Sequence, residues 1–297
     1  RGAGDRPPLE MTKWFDSNYH YLVPEIAPDT DIRLVDDRVV RLATEAPGLR
    51  PVVVGPVTLA LLSKAADGAP EDFTPLDRLD DIVAAYADLL RALAAAGVEW
   101  VQLDEPALVA DTWPREETVA ATSSAYTTLG GLADRPAILV VGSYGPLGDA
   151  LPPLAASRIE AIGLDLVRGQ IPDDVDILTG KTVVAGVIDG RNIWRADLQE
   201  AFGELGELGA RLGDDSPVSV ATSTSLMHVP HDVEREGGMY PELRTWLAFA
   251  DQKVGEVLTL ARGLAEGRGA IAGEIATSVE VRARRAAAIV AATSRPV

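Results

Sequence analysis

The sequence predicts an α/β protein built on parallel strands. Six short runs rich in Val, Ile and Leu recur along its 297 residues, segments of helical period lie between them, and several runs end in charged or amide side chains. The runs are "PVVVGP" (51–56), "WVQLDEP" (100–106), "ILVVGSYG" (138–145), "AIGLDLV" (161–167), "TVVAGVID" (182–189) and "VSVATSTSL" (218–226). Each is nearly continuous in apolar residues instead of alternating, the pattern of strands buried on both faces as in parallel sheets. Repeated strand and helix units make the fold α/β, either a barrel or a doubly wound sheet.

The clearest helix is "TPLDRLDDIVAAYADLLRALAAAG". Thr74 supplies a cap, Pro75 suits the first helical position and Gly97 ends the element. Leu76, Leu79, Ile82, Val83, Tyr86, Leu89, Leu90 and Leu93 follow the three-four spacing that turns one face to a sheet. After the last strand, "YPELRTWLAFADQKVGEVLTLARGLAEG" and "EIATSVEVRARRAAAIVAAT" read as two more helices, and "GELGELGARLGDD" (203–215) as a solvated helix face.

Polar residues cluster where strands end: Asp104 and Glu105 in "QLDEP", Asp165 and Arg168 in "GLDLVRG", and Asp189, Arg191 and Asn192 in "VIDGRNIW". In a (βα)8 barrel the carboxyl ends of all strands meet at one mouth, whereas in a doubly wound sheet only strands at the switch point share a site. Polar endings on several strands favour the (βα)8 type. The competing reading is that each such side chain caps the turn that follows it. Asp104 and Glu105 are adjacent on a strand and face opposite sides, so they are a poor acid and base pair.

Composition narrows the function. With 47% hydrophobic and 24% charged residues, this is an ordinary globular chain long enough for one large domain. A formal charge of −18 repels phosphate backbones and anionic lipid, which argues against nucleic-acid and membrane partners. No apolar run approaches the roughly 20 residues of a membrane span, and no signal-type leader is present, so a cytoplasmic location is expected. The chain has no cysteine, which removes disulfides, thiolate ligands and cysteine nucleophiles. His228 and His231 in "HVPH" flank Pro230, which favours a turn with hydrogen-bonded imidazoles over a metal pair.

Six blocks in order carry a family resemblance: "EMTKWFDSNYHYLVPE", "GPVTLALLSK", "GVEWVQLDEPALV", "GLDLVRG", "AGVIDGRNIWRADL" and "SLMHVPHDVERE". From about Glu10 to about Leu264 the chain resembles the N-terminal barrel of cobalamin-independent methionine synthase. The resemblance implies two (βα)8 barrels in the whole enzyme and transfer of a methyl group from 5-methyltetrahydrofolate polyglutamate to homocysteine. It implies that zinc is held in the C-terminal barrel by histidine, two cysteines and a glutamate, so no cofactor is expected on this chain. It also implies that Lys13 contacts the folate polyglutamate tail, that Asn18 is a second folate contact, and that no catalytic residue lies here.

The family places two strands and a helical hairpin before "MTKW", whereas ten residues precede Met11 here. The expectation is therefore a barrel of (βα)8 type lacking its first two strands, with residues 1–297 as one incomplete N-terminal domain and unpaired edges at "PVVVGP" and "VSVATS". The zinc-binding C-terminal barrel is the expected partner, in the same chain or another, and the isolated chain is expected to be inactive. The alternatives are a folate-polyglutamate-binding module or trans-acting subunit without chemistry of its own, and a barrel with a different reaction at Asp104, Asp165 or Asp189.

Overall fold

A computed structural model describes residues 7–293. The strands are β1 (Met11–Lys13), β2 (His20–Leu22), β3 (Glu25–Ile26), β4 (Val52–Val54), β5 (Lys64–Ala65), β6 (Trp100–Asp104), β7 (Ala137–Gly142), β8 (Ala161–Asp165), β9 (Thr182–Ile188) and β10 (Val218–Thr222). Six of them form one parallel sheet in the order β10-β9-β8-β7-β6-β4, and these six coincide with the six apolar runs. The edge strands are β4 and β10, as the sequence leads one to expect. The chain divides into two compact units between Gly163 and Leu164, within β8.

The first unit contains α1 (Arg38–Glu45), α2 (Pro56–Leu62), α3 (Leu79–Ala95), α4 (Arg115–Gly131) and α5 (Leu151–Ala156). β4 pairs with β6 from Val52↔Gln102 to Val54↔Asp104, and β6 with β7 from Trp100↔Ala137 to Asp104↔Val141. Val101 and Leu103 of β6 are fully buried, together with Leu90 and Leu93 of α3 and Tyr126 and Leu129 of α4. Trp100, Gln102 and Asp104 take the other face and are only half-buried. Burial on both faces is complete in β8 and weaker in β4 and β10. The first turn of the expected helix at Pro75 is a 3-10 turn, boxed by Thr74 and Asp77, before α3 proper begins at Leu79.

The second unit contains α6 (Leu198–Leu212), α7 (Pro241–Trp246), α8 (Ala250–Glu266) and α9 (Ala272–Thr293). In α6, Leu205, Leu208 and Leu212 are buried, so the "GELGELGARL" run has an inner face as well as a solvated one. The single helix expected from "YPELRTW" onward is two. Leu247, Ala248 and Phe249 leave the helical path: Leu247 bridges Trp194 and the Ala248 N–H donates to Ile193 O at 2.8 Å. Burying Leu247 and Phe249 against Val233 outweighs continuing the helix. Among the described residues, no helix is long and apolar enough to cross a membrane.

Candidate functional site

The "MTKWFDSNYHYL" stretch folds as a hairpin. β1 and β2 pair antiparallel with Lys13 opposite His20, Thr12 opposite Tyr21 and Met11 opposite Leu22. Side chains alternate across a strand, so Lys13, His20, Met11 and Leu22 are exposed while Thr12 and Tyr21 turn inward. Tyr21 reaches Leu62 O at 3.3 Å, and its burial, with Glu10 nearby, raises the phenol above its ordinary pKa. Lys13 has no ion-pair partner among the described residues. By contrast, Lys64 is held between Glu10 and Glu25 at 3.2 and 3.3 Å.

Residues 14–19 close the hairpin tightly. The Trp14 N–H donates to Tyr19 O at 2.7 Å, and the buried Ser17 hydroxyl donates to Trp14 O while accepting from the Tyr19 N–H. This geometry drives Phe15 to φ 48°. Its ring stacks on Tyr144 at 6.0 Å and 28°, and meets Trp14 and Trp113 edge-on at 5.0 and 6.4 Å. Tyr144 has φ 81°, and these two are the only non-glycine residues with positive φ among the described residues. Bulky residues in that region cost on the order of 1–3 kcal/mol each and persist where their surroundings over-determine them. Tyr144 follows the carboxyl end of β7, and Trp113 follows the turn that leaves β6. The loop carrying Asn18 and ending β1 at Lys13 is therefore anchored just past the carboxyl end of β7, at Tyr144, and on the connection between β6 and α4, at Trp113. Lys13 and Asn18 share this hairpin, and both side chains are exposed.

Glu105, which follows β6, is fully buried. Its Oε1 accepts from the Val57 N–H at 3.1 Å and the Tyr126 hydroxyl at 2.6 Å, and its Oε2 accepts from the Thr58 N–H at 2.6 Å. The carboxylate thus satisfies two of the orphan N–H groups at the start of α2 and sits at the positive end of its dipole. The Thr58 hydroxyl returns the contact by accepting from the Ala107 N–H at 3.2 Å. Burial pushes Glu105 up, and the hydrogen bonds from Thr58, Tyr126 and Val57 oppose it. Both of its oxygens are engaged with the scaffold, which makes it a strut. Asp104 faces the other way and accepts from Gln102 at 2.8 Å; burial raises it while Gln102 and Arg50 pull it down.

In the second unit, the strand-end carboxylates cap their own turns. Asp165 accepts from the Val167 and Arg168 N–H groups at 3.0 and 2.9 Å, and Asp189 accepts from the Arg191 and Asn192 N–H groups and the Asn192 amide. His231 faces Asp251 at 3.7 Å, whereas burial and Arg191 lower His228. Sequence reading missed Lys253, which is fully buried in α8 and donates to Trp194 O at 3.3 Å. Its signal was legible: it lies seven residues before the buried Leu260, a charge on the apolar stripe. Among the described residues, no group of three His, Asp or Glu is placed to hold a metal.

Fold and site together define an α/β domain of parallel-strand type, with its polar residues gathered at strand ends and a lysine presented on an anchored hairpin. Residues 1–213 match the family described as cobalamin-independent synthase, N-terminal domain, and the chain belongs to that family. It is 52% identical over 285 residues to 5-methyltetrahydropteroyltriglutamate–homocysteine methyltransferase of Rhodococcus jostii, covering 93% of this chain and 36% of the relative. The Streptomyces coelicolor protein of the same name is 50% identical over 295 residues, with 96% of this chain and 38% of the relative covered. The chain thus spans little more than a third of the length of these relatives. A B12-independent methionine synthase from Shewanella shares the fold, with a TM-score of 0.61 and 18% identity over 87% of this chain and 74% of the other.

Proposed function

We propose that this chain is the folate-tail-binding part of a methyltransferase that moves a methyl group from 5-methyltetrahydrofolate polyglutamate to homocysteine. Lys13 carries the tail contact and Asn18 adds a polar one. The single observation behind the reading is an exposed lysine with no ion-pair partner among the described residues, on an antiparallel hairpin, in a chain of net charge −18. A tail of several carboxylates is repelled by such a surface unless a local cation faces it. A lysine suits a flexible tail because its ammonium is a compact charge with rotatable donors and imposes no fork geometry. The name of these relatives specifies a triglutamyl substrate, which agrees with this chemistry.

The family's zinc does not fit this chain. A thiolate-rich donor set needs cysteine, and the sequence has none. Activation of the homocysteine thiol therefore belongs to the part of the relatives' length that lies beyond this match. The test is the preference of the full-length protein for triglutamyl over monoglutamyl folate, which Lys13→Ala and high salt should each abolish; a preference that survives both would remove the tail from this hairpin.

A further inference from the structure

The only two non-glycine residues with left-handed backbone among the described residues touch each other: Phe15 and Tyr144, 129 positions apart in sequence, stack at 6.0 Å with an interplanar angle of 28°. One closes the hairpin that ends in Lys13; the other follows the carboxyl end of β7. Neither conformation is what its residue type prefers, and a glycine would adopt either without strain. Bulky aromatic side chains are held there by what surrounds them. For Phe15 that is a ring of rings, with Trp14 at 5.0 Å and Trp113 at 6.4 Å beside Tyr144, and a loop cross-linked through the buried Ser17 hydroxyl.

We propose that Phe15 and Tyr144 are a positioning pair, which fixes the Lys13 hairpin to the loop at the carboxyl end of β7 and thereby sets the place where the carboxylate tail of a folate is gripped. This rests on the tail-binding reading of Lys13 given above. A three-residue strand pair is marginal by itself, and among the described residues β1 and β2 have only each other as strand partners. The hairpin keeps one position only if something outside it holds its tip. The stack does so, because the left-handed turn at Phe15 aims its ring out of the hairpin and the left-handed turn at Tyr144 presents a ring to receive it. Neither residue touches the tail; each acts through the position of Lys13.

The experiment uses the full-length protein with Tyr144→Ala, Tyr144→Phe and, should the alanine variant fail to fold, Phe15→Leu. Hydrogen exchange of the amides from Met11 to Leu22 is measured without ligand, and affinity is measured for triglutamyl and monoglutamyl 5-methyltetrahydrofolate. Tyr144→Ala and Phe15→Leu should each raise hairpin exchange at least tenfold and cut the triglutamyl preference at least fivefold, with amides of β6 unchanged. Tyr144→Phe keeps the ring stack and should lie closer to wild type than to Tyr144→Ala in both. Lys13→Ala should lose the preference while leaving hairpin exchange unchanged. Unchanged exchange in folded Tyr144→Ala or Phe15→Leu overturns the positioning pair, as does raised exchange with an unchanged triglutamyl preference. An unchanged preference in Lys13→Ala overturns the tail site itself, so the two failures are distinct.

Discussion

Glu105 separates a scaffold role from a chemical one by numbers. In Glu105→Ala, the Val57 and Thr58 N–H groups and the Tyr126 hydroxyl all lose their acceptor in a site with no solvent exposure. Each orphaned buried donor costs about 1–3 kcal/mol, and allowing for relaxation the variant should lose about 3–5 kcal/mol of stability. Glu105→Gln keeps the volume but turns an N–H toward one of two backbone N–H donors, so about 1–3 kcal/mol is expected. Tyr126→Phe removes one donor and leaves the carboxylate its two backbone partners, at about 0.5–1.5 kcal/mol. The assay is urea unfolding followed by tryptophan fluorescence and far-UV dichroism, with coincident transitions required before the free energies are compared. The order Ala, Gln, Phe in decreasing cost is the signature of the strut. A Glu105→Gln protein with a wild-type unfolding midpoint and no turnover would refute it, because the carboxylate would then be doing chemistry.

A Cβ on Gly55 would overlap the Glu105 carboxyl, so Gly55→Ala should cost about 1–3 kcal/mol by overpacking although its φ of −74° is ordinary; an unfolding midpoint at the wild-type position would show that the strut gives way freely. Glu160 is raised by burial, but hydrogen bonds from Arg135 and the Ile138 N–H outweigh that and hold it below its ordinary value. A folded pKa below the unfolded one favours folding at neutral pH, and this contribution is lost as pH falls below about 4.3 and through the folded value. Arg135→Met should therefore flatten the acid-side decline by up to about 1 kcal/mol, a small effect because Glu160 is partly exposed; an unchanged pH profile of stability would remove the coupling.

The six sheet strands were legible because parallel strands write themselves as continuous apolar runs, and "AIGLD" is buried at every position. The hairpin was not legible. Two strands of three residues are too short for a period-2 signal, and nothing in "KWFDSN" announces that Phe15 adopts φ 48° where glycine is the usual occupant. The break between α7 and α8 was hidden for a different reason: Leu247, Ala248 and Phe249 continue an apolar helical pattern, and only their tertiary contacts with Ile193 and Trp194 pull them straight. For Asp165 and Asp189 the residue type allowed capping or chemistry, and the backbone N–H groups around them show that both carboxylates cap their own turns. Lys13 stood out only through its motif, since an exposed lysine by itself carries little information.

Calorimetric titration of the full-length protein with triglutamyl and monoglutamyl 5-methyltetrahydrofolate, for wild type and Lys13→Ala, tests the central claim most directly. Losing one charged hydrogen bond to the tail should weaken the triglutamyl ligand by about 1.5–3 kcal/mol, roughly 10- to 150-fold in Kd, with the monoglutamyl ligand unaffected. Equal weakening of both ligands, or of neither, would contradict the assignment of Lys13 to the tail.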